Sequence, residues 1–192
     1  MIVAHFESMP EHSRMRDLLM RFPEKGAVLM SLGELFLRGT SELSHAEKET
    51  LFAYGSALND CDFCHLSHKY TAAQLGVDES AFDQLLVSID DAPIDEKLKP
   101  LVRFVQKLTL TPGQMNAADV ASVRAAGWSE DAIFDAICIC GFNNLMNRVV
   151  DGTGIESTEE ELRESGQRLA TLGYDGSMSK AREALAAANK SE

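Results

Sequence analysis

The segment 61–68, CDFCHLSH, holds the residues with the clearest chemical potential in this sequence. A thiolate is the reactive form of cysteine, and an imidazole can accept the proton of a thiol. Cys61 and Cys64 are three residues apart, and His68 is four residues beyond Cys64. On a helix this spacing puts all three side chains on one face. The pattern predicts a redox pair of thiols beside a general base.

A carboxylate on the preceding predicted helix completes the candidate set. Glu49 lies twelve residues before Cys61. If the two helices pack together, its carboxylate can orient the His68 imidazole or relay its proton through water. The candidate catalytic residues are therefore Cys64, Cys61, His68 and Glu49.

Three other interpretations of the cysteine segment stay open at this point. The thiols and His68 could bind zinc, but a closed structural site needs four ligands, and Cys138 and Cys140 form a poor second pair because they point to different faces of a helix. The CxxCH pattern also fits covalent haem, which normally follows export. The cysteines could instead be buried packing residues. A metal-binding or redox-sensing module is thus the alternative to an enzyme.

Local signals predict the two helices that carry these residues. Ser44 followed by Glu47 fits a capping box, which predicts a helix that runs to about Leu58. Asn59 and Asp60 then indicate a turn and an N-cap. With Asp60 as the N-cap, both cysteines would lie in the first helical turn, where the helix dipole lowers a thiol pKa.

The other apolar patterns also have helical rather than strand period. They predict an all-α, multi-helix bundle with one domain over residues 1–192, a core over about 10–175 and a C-terminal helical extension over about 157–190. The remaining predicted helices cover residues 10–21, 24–38, 61–75, a short stretch after Asp78, 94–109, 117–126, 129–150, 157–172 and 177–189. The helix over 129–150 is apolar on most sides, which predicts burial in a core or an oligomer interface.

Composition limits the classes of partner. The net charge of −12 argues against nucleic acid and against an anionic membrane surface. No stretch is long and apolar enough for a membrane span, and no signal peptide is visible. Four cysteines are too few for a disulfide scaffold, so we expect a cytoplasmic protein in which a CxxC pair is catalytic or metal-binding.

The pattern Glu49-x11-Cys61-x2-Cys64-x3-His68 resembles the signature of AhpD-like alkylhydroperoxidases, within the carboxymuconolactone decarboxylase superfamily. The segments 56–61 and 142–152 also resemble its peroxidase-related branch. The similarity covers about residues 10–175, in which only the cysteine motif is highly specific. Because the decarboxylase branch lacks the CxxC pair, the motif argues against lactone decarboxylation.

The resemblance implies an AhpD-like fold, a homo-oligomer that is trimeric or hexameric, and no cofactor. It implies that Cys64 is the peroxidatic thiolate, Cys61 the resolving thiol, and His68 with Glu49 the proton relay. The substrate would be an alkyl hydroperoxide and the reductant an external dithiol or protein thiol. One residue departs from the family pattern, because Phe63 stands where the characterised enzyme has histidine.

Other polar and sulfur residues are interpreted more simply. His65 lies off the catalytic face of its helix, which favours a packing or surface role. Tyr54 is expected to be a core tyrosine, and Cys138 and Cys140 are expected to be small buried residues. Arg148 has two open interpretations, a favourable charge near a helix C-terminus or a contact in a pocket or interface.

Overall fold

The computed structural model describes residues 5–10 and 12–188. The ends of the predicted domain, residues 1–4 and 189–192, lie outside this part. Within the described ranges the regular elements are nine α-helices and one short 3₁₀ turn, and no strand occurs there. The all-α, multi-helix prediction is confirmed. The helices are α1 (Met15–Arg21), α2 (Pro23–Arg38), α3 (His45–Leu58), α4 (Asp62–Gln74), α5 (Ser80–Val87), α6 (Lys99–Leu110), α7 (Ala117–Ala125), α8 (Glu130–Thr153) and α9 (Glu159–Ala188).

Helix α3 is the central element of the bundle. It begins where the sequence predicted, because the Ser44 side chain accepts from the Glu47 amide and the Glu47 carboxylate accepts from the Ser44 amide. Phe52, Ala53 and Tyr54 are consecutive and all buried, so the helix is covered on every side at this level. Helices α2, α4, α5, α6 and α8 pack around it. A polar side chain on α3 is therefore held away from bulk water.

Helix α9 covers the outer side of α4 and also packs against α2. The sequence predicted two C-terminal helices here, and this is confirmed, because α9 consists of two helical segments separated by a kink at Gly173. Gly173 has φ of +69° and ψ of −170°, a conformation that suits glycine because it has no Cβ. The break changes the course of the chain just before Tyr174.

Two helix starts differ from the prediction. Helix α1 begins at Met15 rather than residue 10, because the Asp17 carboxylate accepts from the Arg14 amide and fixes the start there. Helix α6 begins at Lys99 rather than residue 94. A local turn precedes it, and Pro100 is tolerated only because it lies in the first helical turn.

Helix α8 is less buried than its apolar sequence predicted. Its inner face packs against α3, α6, α2 and α4. Its outer face exposes Phe134, Ile137 and Leu145, which lie along one stripe of the helix. These three side chains form what we call the α8 stripe. The apolar pattern of α8 therefore corresponds to two apolar faces, one packed in the core and one exposed on the surface of this chain.

Candidate active site

The corner between α3 and α4 positions the two candidate thiols. The chain turns through Asn59 and Asp60, and Asp60 takes a left-handed conformation with φ of +56°, which Asp tolerates better than most residues. The Cys61 amide then donates to the Ser56 carbonyl at 3.1 Å. Cys61 itself is the N-cap of α4, so the prediction that Asp60 caps this helix is wrong. Cys64 still lies in the first turn of α4.

The two thiols are buried and close to each other. Cys61 is 1% exposed and Cys64 is 3% exposed. A hydrogen bond with the Cys61 side chain, together with burial, raises the pKa of the Cys64 thiol well above its ordinary value. The prediction that the helix start lowers this pKa is therefore wrong for Cys64 in the reduced protein. A thiol in this state needs a base to form the thiolate.

His68 is held in a fixed orientation one helical turn after Cys64 on α4. Its ring stacks on Phe52 with centroids 3.6 Å apart and planes 19° from parallel. Its Nδ1 lies 2.5 Å from Oε2 of Glu49, whose side chain is fully buried. The carboxylate of α3 and the imidazole of α4 thus meet as the sequence pattern predicted.

Glu49 is the centre of a buried charged cluster. Burial alone would favour its protonated form, but His68 and Arg38 hold the pKa of the carboxyl below its ordinary value. Because an ionised carboxylate only accepts hydrogen bonds, His68 carries its proton on Nδ1. Its Nε2 has no protein partner among the described residues, and in the neutral ring this nitrogen is the acceptor. This tautomer presents a base on the side of the ring opposite Glu49.

Two further side chains bind Glu49, and the sequence did not indicate either of them. Arg38 Nη1 donates to Glu49 Oε1 at 2.7 Å, and the Tyr174 hydroxyl donates to the same oxygen at 3.0 Å. The Arg38 guanidinium carbon also lies 5.1 Å above the Tyr174 ring. Helices α2, α3, α4 and α9 therefore each contribute one side chain to this cluster. We call Glu49, His68, Arg38 and Tyr174 the relay cluster.

The break at Gly173 delivers Tyr174 to the relay cluster. Glu34 Oε2 accepts from the Tyr174 amide at 2.7 Å and from the Asp175 amide at 3.2 Å. This carboxylate satisfies the free amides where the helix restarts. Gly33 allows the close approach, because a Cβ there would lie 2.9 Å from the Tyr174 ring. Burial and the nearby Glu49 raise the pKa of Tyr174 well above its usual value, so its hydroxyl stays protonated.

An amide network fixes α8 beneath the thiols. Asn143 Nδ2 donates to the Phe52 carbonyl at 3.0 Å and to the Ser56 hydroxyl at 2.6 Å. Asn147 Nδ2 donates to the same hydroxyl at 3.1 Å. A hydrogen bond from Asn147 also opposes the rise in the pKa of Cys64. Both asparagines fall in the segment 142–152 that supported the family resemblance.

A cavity of about 340 Å³ reaches the thiol and the imidazole from the side of α9. Cys64, His68 and Tyr174 line it, whereas Cys61 does not. Phe63 also lines the cavity, at the position where the family pattern has histidine. The volume lies within the range of about 300–1,000 Å³ that is usual for small-molecule sites. A small molecule in this cavity can reach one sulfur, and the other sulfur lies behind it.

Three other residues considered in the sequence analysis, His65, Tyr54 and Arg148, do not line this cavity. His65 Nδ1 lies 3.0 Å from the Ala53 carbonyl, and its ring packs edge-on against Phe82. Tyr54 is buried near Arg103 and makes no hydrogen bond to the relay cluster. Arg148 donates to Asn144, one turn earlier on its own helix.

The described residues hold neither a group of metal-binding side chains nor a membrane-spanning helix. No three His, Cys, Asp or Glu side chains in that part of the chain are grouped so that they could hold a metal ion. None of the helices there combines the length and apolar character needed to cross a bilayer.

Comparison with known proteins places the fold. No protein-family model matches the chain, and no curated protein matches it by sequence. A solved structure of an uncharacterized peroxidase-related protein from Silicibacter sp. TM1040 has a TM-score of 0.69 and 26% identity, over 75% of this chain and 77% of that one. An uncharacterized peroxidase-related protein from Ralstonia eutropha JMP134, described as an alkylhydroperoxidase AhpD core, has a TM-score of 0.69 and 21% identity, over 79% of each chain.

A third solved structure extends the same likeness. It is a protein of unknown function from Agrobacterium tumefaciens with a provisional description as an antioxidant defence protein AhpD. Its TM-score is 0.62 and its identity 21%, over 74% of this chain and 96% of that one. The likeness to these neighbours supports the resemblance that the cysteine motif carried.

Proposed function

Because the structural neighbours support the AhpD-like superfamily, we propose that this chain is a thiol-dependent peroxidase that reduces alkyl hydroperoxides. The observation that carries the proposal is the cavity shared by Cys64 and His68, with His68 held by the buried carboxylate of Glu49. Cys64 is the peroxidatic nucleophile, since it lines the cavity. Cys61 is the resolving thiol, since it lies beside Cys64 and does not line the cavity.

The first step oxidises Cys64. His68 Nε2 accepts the thiol proton, and the thiolate attacks the terminal oxygen of a hydroperoxide. A sulfur–oxygen bond forms and the oxygen–oxygen bond breaks, which leaves a sulfenic acid on Cys64. The departing alkoxide takes the proton from His68 and leaves as an alcohol. This base is essential because the raised pKa of Cys64 leaves only a small fraction of this thiol ionised at neutral pH.

The second step closes the redox pair. The Cys61 sulfur attacks the Cys64 sulfur, the sulfur–oxygen bond breaks as a disulfide forms, and the hydroxyl leaves as water with the proton that the Cys61 thiol gives up. An external dithiol or protein thiol then reduces the disulfide by exchange, giving two electrons and two protons. The predicted cytoplasmic location fits this step, because that compartment keeps thiols reduced.

Glu49 and its partners position the base. The ionised carboxylate fixes the Nδ1–H tautomer of His68 and stabilises the imidazolium while it holds the thiol proton. Arg38 keeps Glu49 ionised, and the Tyr174 hydroxyl donates to it. The Phe63 side chain has no group that can exchange a proton. His68 therefore supplies the only imidazole among the residues that line the cavity.

Rapid mixing of the fully reduced protein with an organic hydroperoxide tests the proposal. We expect one equivalent of alcohol for each chain without added reductant, and repeated turnover with a dithiol. Mass spectrometry of the peptide that contains residues 61–64 should show a loss of two hydrogens, as a disulfide requires. Stoichiometric zinc in the purified protein without turnover would instead support the metal-binding module.

We also propose that the chain forms a homo-oligomer through the α8 stripe. Phe134, Ile137 and Leu145 are large apolar side chains exposed on one helix face. Such patches commonly mark contacts between protein chains. Light scattering coupled to size-exclusion chromatography should show a trimer or hexamer, and Phe134→Glu should shift the population toward the monomer. A wild-type monomer at all concentrations would contradict this assembly.

A further inference from the structure

The mouth of the cavity differs in charge from the rest of this acidic protein. Three arginines line it, Arg14 and Arg16 from the segment around α1 and Arg168 from α9, against the two carboxylates of Glu161 and Glu164. The chain as a whole has 18 basic and 30 acidic residues. The entrance of this cavity therefore has a small positive net charge, whereas the whole chain has a negative net charge. Such a local excess of positive charge attracts anions to the entrance.

The three arginines are not equally paired. Arg14 forms an ion pair with Glu161, and Arg16 lies 3.5 Å from Asp17. Arg168 donates to the Ser165 hydroxyl at 3.1 Å and forms no ion pair with a described residue. Partial burial and repulsion from Arg16 and Arg14 lower the pKa of Arg168, and the nearby Glu164 carboxylate offsets only part of this effect. A bound anion would relieve this repulsion and use the free donors of the guanidinium.

The interior of the cavity is mainly apolar and rich in methionine. Four of the eight methionines in the chain line it, namely Met15, Met30, Met146 and Met178. Methionine side chains are flexible and polarizable, so they adapt to apolar ligands of varied shape. Leu19, Leu162 and Leu169 add further apolar surface. This lining fits a hydrocarbon chain better than it fits hydrogen peroxide.

The reactive end and the charged mouth are separate parts of one cavity. Cys64 and His68 belong to α4, whereas Arg168 lies on the first segment of α9, before the break at Gly173. At 1.5 Å per residue, Arg168 is about 7.5 Å along the helix from Gly173. Tyr174 follows that break and contacts His68 and Glu49. A ligand that contacts both ends therefore has to reach from the first segment of α9 to Cys64 on α4.

We propose that the cavity binds hydroperoxides carried on a hydrocarbon chain with a carboxylate at its far end. The carboxylate lies at Arg168, the chain lies along the methionines, and the hydroperoxide reaches Cys64. The inference rests on the proposed peroxidase function and names its substrate class. Arg168 is a specificity residue that binds the part of the substrate that does not react.

The test compares a medium-chain hydroperoxy fatty acid with its methyl ester. Single-turnover oxidation of the reduced full-length protein is followed without reductant, so contacts with a dithiol cannot contribute. We expect the wild type to react faster with the acid than with the ester at low salt. Arg168→Gln should lower the acid-to-ester rate ratio by about fivefold, since an ion pair at an exposed mouth is worth up to about 1 kcal/mol. Arg168→Lys should retain part of the preference.

Arg124→Gln is the matched control, because it removes one positive charge whose ion pair with Glu130 lies outside this cavity. It should leave the acid-to-ester ratio unchanged. Equal rates for acid and ester in the wild type would overturn the inference. So would an unchanged ratio in Arg168→Gln, or an equal loss in the Arg124→Gln control.

Binding of decanoate separates this inference from the peroxidase proposal, because decanoate cannot react. Calorimetry should show binding to the wild type and a dissociation constant about fivefold higher for Arg168→Gln. If no hydroperoxide oxidises the thiols, the peroxidase proposal fails, and decanoate binding alone decides the anion site. Equal affinity of the wild type and Arg168→Gln for decanoate would overturn the site.

Discussion

Two buried cysteines of this chain, Cys64 and Cys140, differ in surroundings more than in burial, whereas Cys138, which was expected to be buried, is only half-buried. Cys64 and Cys140 are each 3% exposed, and each has a raised thiol pKa. Cys64 lies in the first turn of α4 and lines a cavity together with His68. Cys140 lies in the middle of α8, 3.4 Å from the Thr109 hydroxyl, with no imidazole or carboxylate beside it.

The comparison shows which structural features distinguish the proposed nucleophile from a buried thiol outside the cavity. Neither burial nor the direction of the pKa shift separates the two, since both are shared. Of these two thiols, only Cys64 lines the cavity, together with His68, and only Cys64 has a hydrogen bond with a neighbouring thiol, that of Cys61. If the cavity, the neighbouring thiol and the imidazole decide reactivity rather than thiol acidity, substitutions at Cys64 and at Cys140 should have very different effects.

The largest expected effect comes from removing each sulfur in turn. Cys64→Ser should lower the rate of hydroperoxide reduction by about 10³-fold or more, because the nucleophile is lost. Cys140→Ser should leave the rate close to that of the wild type. Stopped-flow consumption of cumene hydroperoxide with a dithiol measures both. Equal losses in the two variants would show that the cavity is not the reactive site.

The next largest effect should follow from neutralising the buried carboxylate. Glu49→Gln no longer selects the Nδ1–H tautomer of His68 or stabilises its charged form, so we expect about a 10²-fold loss in kcat/KM. Glu42→Gln, which changes an exposed carboxylate, should have no effect. The pH profile of kcat/KM should also change. In the wild type the lowered pKa of Glu49 keeps this carboxylate ionised beside His68 at all pH values above the usual carboxyl range, whereas the amide of the variant carries no charge. If Glu49→Gln kept the pH profile of the wild type, Glu49 would have no part in the proton relay.

A smaller effect should come from the hydroxyl that α9 contributes. Tyr174→Phe removes one hydrogen bond to Glu49 and should lower kcat/KM by about threefold to tenfold. Tyr70→Phe is the matched control, because its hydroxyl also donates to a carboxylate, that of Glu159, outside the cavity. If Tyr174→Phe lost kcat/KM but kept the acid limb of the pH profile, Tyr174 would act only through packing.

The smallest expected effect concerns the acidity of the two thiols. Alkylation of Cys64 by iodoacetamide should increase with pH up to and beyond about 9, because its raised pKa leaves little thiolate at neutral pH. Cys61→Ala removes the first cause of that raised pKa, so the alkylation midpoint of Cys64 should move to lower pH. The midpoint of Cys140 should stay in place. Peptide mass spectrometry at several pH values measures both, and an upward move at Cys64 would contradict the assigned hydrogen bond.

Much of the fold could be predicted because its signals are local. The reciprocal bonds of Ser44 and Glu47 start α3 as the sequence indicated. The i, i+4 spacing of Cys64 and His68 also survives in the structure, since helix geometry fixes it. The N-cap of α4 was misplaced by one residue, because the Cys61 amide bonds to Ser56 instead of allowing Asp60 to cap.

The parts of the site that were not predicted depend on distant contacts. Arg38, Glu34 and Tyr174 have no motif that links them to Cys64 in the sequence. Tyr174 lies 125 residues from Glu49, and only the packing of α9 on α4 and α2 brings it there. The acidity of Cys64 was mispredicted for a related reason, because burial and the bond to Cys61 outweigh the helix dipole.

The bond from Tyr174 to Glu34 spans 140 residues, and this separation has a consequence for biosynthesis. The hairpin of α3 and α4 can form on a nascent chain as soon as both have left the ribosome, since its contacts are local. The tyrosine that covers the carboxylate arrives only when α9 emerges. A newly made chain would therefore hold its two sulfurs in an open hairpin first, and would gain the cavity beside Cys64 only when α9 packs, as one of the last events of folding.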